Sequence, residues 1–231
     1  MNKQRQLLTS LEDDVCRLQE EVKDLELQFH SVAMGIPTEQ TVWSVAAEYF
    51  RLFRYGFRSP PDVLNAFALK FLRLSMAPDV TDGFEYGPDT LLRNWKLFSL
   101  CFDDIDVQLG RLATGGMMNS LVASTITSLT ISTDTLRQAF PNLNSDGRGG
   151  ASGGEWHPLA AKLLNNRLVV QGSVSLDWDD TTNRIVRVVT QLDMVTPMLR
   201  LLGNLEDVSR VFDKALISLE GRLSVTELQF A

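Results

Sequence analysis

The sequence predicts an α+β protein in which a coiled-coil helix precedes helices packed on an antiparallel sheet. A heptad pattern of apolar residues runs over residues 8–29, and three segments of helical periodicity follow between residues 42 and 102. From Ile105 the apolar period changes to two, as expected of strands. Runs of helices followed by runs of strands are typical of α+β domains with an antiparallel sheet.

Composition bounds the size of the protein and its surroundings. The 231 residues are 44% hydrophobic and 22% charged, which is typical of a globular protein with one ordinary domain beside the helix. The net charge of −7 gives no reason to expect nucleic acid as the default partner. No apolar run approaches the about 20 residues that span a bilayer, so no membrane is expected. Cys16 and Cys101 form no disulfide framework, so we expect the reducing nucleus or cytoplasm.

We predict four regions: a zipper-like helix over 1–34, a linker over 35–41, an α+β domain over 42–219 and a tail over 220–231. The seven apolar positions of the helix alternate steps of three and four and are Leu8, Leu11, Val15, Leu18, Val22, Leu25 and Phe29. β-Branched residues at a with Leu at d favour a parallel two-stranded coil. The e and g positions are acidic or amide residues, whereas a helix lying on its own domain usually adds apolar residues there. We therefore favour a dimerising coiled coil over a surface helix.

The acidic e and g positions also bear on the choice of partner. In a parallel homodimer Glu21 faces Glu26, and this repulsion weakens the pair. The sequence allows a homodimer or a heterodimer and favours a heterodimer with a partner whose e and g positions are basic.

Three helices are predicted next, over residues 42–56, 62–76 and 90–102, with Pro60-Pro61 and Gly87-Pro88 between them. The first has an aromatic face accompanied by Arg51, Arg54 and Arg58. Rings with arginines can bind nucleic acid, but we favour a helix that covers the core. The acidic residues at 103–106 could hold a metal; without a nearby histidine or second acidic cluster, a solvated loop and no metal are expected.

Strands are predicted over 106–112, 120–132, 167–178 and 184–196, with short helices over 134–140, 157–165, 197–203 and 205–219. The turn at 179–183 joins the last two strands as a hairpin and resembles the start of a calcium loop, but it has Thr182 and Val188 where Gly and Glu are needed. The Gly/Ser-rich segment 144–155 is expected to be flexible. Its Gly147–Gly150 run has neither a P-loop nor a dinucleotide fingerprint, so no cofactor is expected.

The order of elements over residues 42–219 resembles the cone-shaped nuclear transport factor 2-like (SnoaL-like) fold, which implies a curved sheet wrapped against helices. The heptads followed by residues 42–56 (VWSVAAEYFRLFRYG) look like a family of bZIP-like transcription factors with an α+β C-terminal domain. Residues 198–212 (MLRLLGNLEDVSRVF) are similar to the closing segment of that family.

The chain departs from this family where such proteins contact DNA, in a basic helix continuous with the zipper. Only Lys3 and Arg5 precede Leu8, and residues 1–30 hold four basic and seven acidic residues. We expect either that a basic region was lost upstream of Met1 or that the chain is a zipper partner that reaches DNA only indirectly, through another protein.

The leading hypothesis is a bZIP-related transcriptional regulator that dimerises through residues 8–29, with an α+β domain for protein interaction or ligand sensing. The alternative is a binder or an isomerase- or dehydratase-like enzyme that uses the cavity of the cone. Its candidate cavity residues are Tyr49, Tyr55, Asp79, Tyr86, Asp177 and Asp193. Satisfied buried tyrosines and acids at strand ends explain this set better, and neither His30 nor His157 makes a convincing base. We therefore expect no catalytic residues and no enzyme.

Overall fold

A five-stranded sheet with helices on it forms the framework of the part of the chain that the computed structural model describes, residues 41–58, 60–116 and 119–224. All seven heptad residues of the predicted zipper, from Leu8 to Phe29, and most of the predicted linker lie outside the described residues. The α+β class predicted from sequence is confirmed by this arrangement.

The sheet is antiparallel except at one edge. Its strands are β1 (Met76–Thr81), β2 (Asp103–Thr114), β3 (Ser120–Thr130), β4 (Arg167–Asp179) and β5 (Arg184–Leu192). Their order across the sheet is β1-β5-β4-β3-β2, and β1 pairs in parallel with β5. Alternate residues of β3, from Leu121 to Leu129, are buried under the helices, so the period of two read from the sequence identifies the covered face.

The helices are α1 (Val42–Leu52), α2 (Asp62–Ser75), α3 (Pro88–Cys101), α4 (Thr133–Gln138), α5 (Pro158–Leu163), α6 (Val195–Leu202) and α7 (Leu205–Phe212). A capping box between Thr41 and Ser44 begins α1. Gly87, with a φ of 97°, followed by Pro88 at the first helical position, begins α3. None of the described helices is long and apolar enough to cross a membrane.

The aromatic face of α1 packs inward, as the sequence predicts. Tyr49, Phe50, Phe53 and Phe57 are all buried. The helix ends at Leu52 instead of residue 56, since the chain turns at 53–55 before Gly56, whose φ is 70°.

The acidic residues at 103–106 are not a solvated loop, and that prediction is wrong. They form the first part of β2, where Asp103 pairs with Arg58 and Asp106 with Arg54 at 3.2 Å. The described residues contain no group of His, Cys, Asp and Glu that could hold a metal.

Two other elements end earlier than the apolar pattern predicts. β5 stops at Leu192, and the Asp193 carboxylate then accepts hydrogen bonds from Thr196 at the start of α6. The last helix stops at Phe212 instead of residue 219, because Lys214 takes a positive φ of 60°. Residues 216–224 double back instead, with a bridge between Ile217 and Leu223.

In each of two loops, an aspartate carboxylate accepts several hydrogen bonds from residues of the same loop. In the Gly/Ser-rich segment 144–155, Asp146 accepts the backbone N–H groups of Arg148, Gly150 and Ser152 at 2.7–3.0 Å, so this loop is more constrained than its composition predicts. In the hairpin turn, Asp179 accepts from the hydroxyl groups of Thr181 and Thr182, and these bonds lower its pKa to about 2.

Candidate functional site

A cavity of about 330 Å³ lies between the helices and the covered face of the sheet. Every strand except β1 contributes to its lining, together with α1, α3, the loop after β1 and the segment at 218–223. The lining residues are Tyr49, Phe50, Asp82, Phe84, Glu85, Leu91, Asn94, Trp95, Leu97, Phe98, Val107, Thr125, Thr127, Val174, Val188, Val189, Thr190, Gln191, Leu192, Ser218, Glu220, Gly221, Arg222 and Leu223. Most of this surface is apolar, as in cavities that bind small organic molecules.

One polar pair at the cavity joins α1 to α3. Trp95 Nε1 donates a hydrogen bond of 2.7 Å to the hydroxyl oxygen of Tyr49, and the Trp95 ring stacks on Phe53 with centroids 4.9 Å apart. Burial raises the pKa of Tyr49 to about 12; the Trp95 bond opposes this shift and the charge of Asp82 adds to it. Tyr49 is therefore a neutral phenol at physiological pH and not a base.

A second polar group is built on the loop that follows β1. Asp82 Oδ1 accepts the backbone N–H groups of Phe84 and Glu85, each at 2.9 Å, and its Oδ2 accepts from Asn94 Nδ2 at 3.0 Å. The carboxylate thus links the loop to α3. Asn94 Oδ1 is buried and has no hydrogen-bond partner in the structure.

Two segments of the lining, at 82–85 and 218–223, have exposed side chains. Phe84 is 64% exposed, and the guanidinium group of Arg222 lies over its ring. Two backbone hydrogen bonds hold the segment at 218–223. Leu192 N–H of β5 donates to Glu220 O at 3.0 Å, and Met194 N–H donates to Leu219 O at 3.2 Å. The C-terminal part of the described chain thus completes the cavity.

Of the six cavity candidates named from the sequence, the structure places Tyr49 in the lining. Tyr55 and Tyr86 are 68% and 71% exposed, and Asp79 is exposed on β1. Asp177 lies on β4 opposite Arg187, and Asp193 accepts hydrogen bonds from Thr196 in the first turn of α6. The structure does not bring these five residues to the cavity.

The neighbours Asp82, Asn94 and Trp95 were missed by the sequence analysis. Asp82 precedes Gly83 and reads as an ordinary turn residue, and the apolar period of α3 gives no sign that an amide faces a cavity. His157 lies away from the cavity, where its Nδ1 accepts from Leu159 N–H at the start of α5. His30 lies outside the described residues.

Comparison with protein families supports the resemblance read from the sequence. Residues 43–101 match the BZIP transcription factor 1 C-terminal domain. The match runs from α1 to the end of α3 and includes Tyr49, Asp82, Asn94 and Trp95. The predicted resemblance to bZIP-like transcription factors is confirmed over this range.

Among solved structures, a SnoaL-like polyketide cyclase from Agrobacterium tumefaciens is 15% identical, with a TM-score of 0.45 over 71% of this chain and 99% of that one. The putative polyketide cyclase IdmH from Streptomyces antibioticus is 16% identical, with a TM-score of 0.40 over 70% and 97%. An NTF2-like protein of unknown function from Exiguobacterium is 12% identical, with a TM-score of 0.41 over 64% and 98%. No curated protein matches the chain at a significant level.

Proposed function

We propose that the chain is a bZIP-related transcriptional regulator whose α+β domain senses a small apolar ligand. The match of residues 43–101 to the C-terminal domain of a bZIP transcription factor carries the first part of the proposal. The cavity supports the second part, because the matched segment supplies much of its lining.

The chemistry of the lining favours binding over catalysis. Asp82 is engaged by three hydrogen-bond donors, and the raised pKa of Tyr49 keeps its hydroxyl protonated. A general base needs a free acceptor within reach of the proton that it removes. Neither of these groups offers a ready base, whereas an apolar cavity with a few fixed polar groups suits a ligand-binding domain.

We further propose that the chain dimerises through the heptad residues at 8–29 and reaches DNA through a partner. A partner with basic e and g positions would pair with the acidic Glu21 and Glu26, and its own basic region would contact DNA.

Ligand binding is tested by filling the cavity. We expect the neutral dye N-phenyl-1-naphthylamine to become fluorescent with the full chain and to lose most of this signal in Val174→Phe, since Val174 is buried in the lining. The matched control is Val169→Phe on the same strand, where the side chain is 53% exposed and outside the lining. Equal dye binding by all three proteins would contradict a ligand site in this cavity.

Dimerisation is tested by light scattering during size-exclusion chromatography. We expect Leu18→Lys, at a d position, to lower the mass of the full chain from dimer to monomer. Glu20→Lys introduces the same residue at an outward f position and is expected to stay dimeric. The proposal is wrong if the unmodified chain and the Leu18 variant are the same monomer.

A further inference from the structure

We infer that the cavity binds its ligand through an uncharged hydrogen-bond acceptor, an oxygen of the carbonyl type, to which the hydroxyl groups of Thr125 and Thr127 donate. The inference rests on the proposed function, because it names the polar group of the ligand and the two residues that would recognise it.

Thr125 and Thr127 differ from the other buried polar residues. Six serine, threonine and asparagine residues are buried in the part of the chain that the structure describes: Ser75, Ser99, Thr125, Thr127, Thr135 and Asn144. The side chains of the other four form hydrogen bonds inside the protein. The hydroxyl groups of Thr125 and Thr127 form none with the described residues, and both residues line the cavity. Because buried hydroxyl groups normally have a partner, these two are available to a ligand.

The two hydroxyl oxygens are open to the cavity. Four buried side-chain atoms of the described residues have neither a hydrogen-bond partner nor accessible surface to speak of: Asn65 Oδ1, Asn94 Oδ1, Asn142 Oδ1 and Asn144 Nδ2. Neither threonine oxygen is among them, so each keeps a surface that a ligand can reach. Thr125 pairs with Gly172 of β4, where an added Cβ atom would lie 3.1 Å from Thr125 Oγ1. The missing side chain of Gly172 therefore leaves space beside this hydroxyl group.

β3 places the two hydroxyl groups in one row. Alternate residues of this strand are buried under the helices, and Thr125 and Thr127 are successive members of that set. Such positions are about 7 Å apart, so one ligand can contact both. Pairing with β2 on one side and β4 on the other fixes the row before a ligand arrives.

The chemistry of a hydroxyl group favours an acceptor on the ligand. Without a ligand, water bonds to these groups, and a ligand that displaces the water has to replace its hydrogen bonds. A hydroxyl group has one hydrogen and two lone pairs. A buried donor without an acceptor is tolerated less often than an acceptor with a free lone pair. The oxygen of a ketone, an ester or an amide can accept a hydrogen bond from one hydroxyl group or from both.

The charges of the lining indicate that this acceptor is uncharged. The charged lining residues all belong to the segments at 82–85 and 218–223 and are Asp82, Glu85, Glu220 and Arg222. The residues paired with the two threonines carry no charge and are Val107, Leu109, Val170 and Gly172. Arg222 is the one cation of this lining, and its guanidinium group lies over the Phe84 ring on a segment that also holds Glu220. A carboxylate at the threonines would therefore be buried without a counter-ion, which is unfavourable.

The test compares two probes of nearly the same shape. 2-Acetylnaphthalene has a carbonyl oxygen where 2-isopropenylnaphthalene has a CH₂ group. Ligand-observed NMR titration of the full chain measures the ratio of the two affinities. Because the probes differ in hydration, the measured quantity is the change of this ratio between variants. A third probe, 2-naphthoate, carries a carboxylate and should bind the unmodified protein about tenfold more weakly than 2-acetylnaphthalene.

Five variants assign the ratio to the hydroxyl groups. Valine keeps the branched shape of threonine without its hydroxyl. We expect Thr125→Val and Thr127→Val each to lower the ratio by about threefold, and the two together by about tenfold. Thr125→Ser and Thr127→Ser keep the hydroxyl and should stay within about twofold of the unmodified protein.

The matched control is Thr130→Val on the same strand. This residue is outside the lining, and its hydroxyl group donates to Asp104. The control loses a hydroxyl group from β3 and should leave the ratio unchanged.

Each outcome has a definite meaning. An unchanged ratio in the double valine variant places the acceptor elsewhere, for example at the Tyr49 hydroxyl, and overturns the inference while the proposed ligand site stands. Equal losses in the serine variants or in the control also overturn it, as does tighter binding of 2-naphthoate than of 2-acetylnaphthalene. Binding of none of the probes contradicts the proposed site itself. If circular dichroism shows that the double variant does not fold, the single variants decide.

Discussion

At the scale of single residues, the contact between Tyr49 and Trp95 combines two requirements of a buried polar group. The indole N–H needs an acceptor inside the protein, and the phenol oxygen supplies one at 2.7 Å. The same burial raises the pKa of Tyr49 from 10.0 to about 12. The stability of the domain should therefore depend on pH in the alkaline range.

We expect alkali to destabilise the unmodified protein more than Tyr49→Phe. Between pH 10 and pH 12 the unfolded chain has released the phenol proton and the folded protein retains it, so the free energy of unfolding falls as pH rises. The contribution of Tyr49 is fully present below pH 10 and decreases by about 1.4 kcal/mol at pH 11. Urea unfolding at pH 8 and pH 11 measures this, and equal losses in both proteins would contradict it.

At pH 8 the same substitution leaves Trp95 Nε1 without an acceptor, so Tyr49→Phe should lower the free energy of unfolding by about 1 kcal/mol at that pH.

The candidate site also shows which single residues can be identified from a sequence. Tyr49 can be proposed because it lies on the apolar face of a helix. Asn94 cannot be proposed from the sequence, because its role depends on its contact with Asp82. A turn and the first residues of α3 lie between these two residues along the chain.

At the scale of elements, Gly172 lets three strands approach closely in the middle of the sheet. It pairs with Thr125 of β3 and with Leu192 of β5, both of which line the cavity. A Cβ atom at Gly172 would lie 2.7 Å from Leu192 Cδ2 and 2.8 Å from the backbone oxygen of Gln191. Because that oxygen belongs to a paired strand, it cannot move away without disturbing the sheet.

Gly172→Ala should therefore destabilise the domain by about 1–3 kcal/mol, the usual cost of overpacking. Gly110→Ala is the control, since that glycine is also in a strand but its added Cβ would lie at an ordinary 3.4 Å from Ser124 O. Its effect should stay within about 0.5 kcal/mol. Thermal unfolding distinguishes the two variants, and an equal change in both would show that the strands can separate at Gly172.

The elements also differ in how well local sequence predicts them. The start of α2 at Asp62 follows from Pro60-Pro61, and β3 and β4 follow from a clear period of two. β1 is not among the strands predicted from the sequence, because its six residues, which include Pro78, have no recognisable pattern and their partner β5 lies far along the chain. The last helix is predicted too long, since Ala215 and Leu216 continue the helical period beyond the point where Lys214 breaks it.

At the scale of the whole molecule, we expect the chain alone not to bind duplex DNA above background at about 150 mM salt. Strong binders make roughly 6–10 phosphate contacts with basic residues. Here the net charge is −7, and the cluster of Arg51, Arg54 and Arg58 pairs with Glu48, Asp106 and Asp103. Fluorescence anisotropy with random and palindromic duplexes measures this. Tight binding that weakens steeply with salt would reveal a basic surface that these pairings do not suggest.

The parallel pairing of β1 with β5 has a consequence for how the domain is made. The Arg184 guanidinium group donates to Met76 O across 108 residues of chain, so β1 must wait for a partner that leaves the ribosome much later. Residues up to Leu223 line the cavity, so it is complete only when nearly all of the domain has been synthesised. A ligand present during synthesis would then act on the last step of folding and, by mass action, raise the yield of finished domain. The cellular abundance of the protein would then rise with the concentration of the proposed ligand.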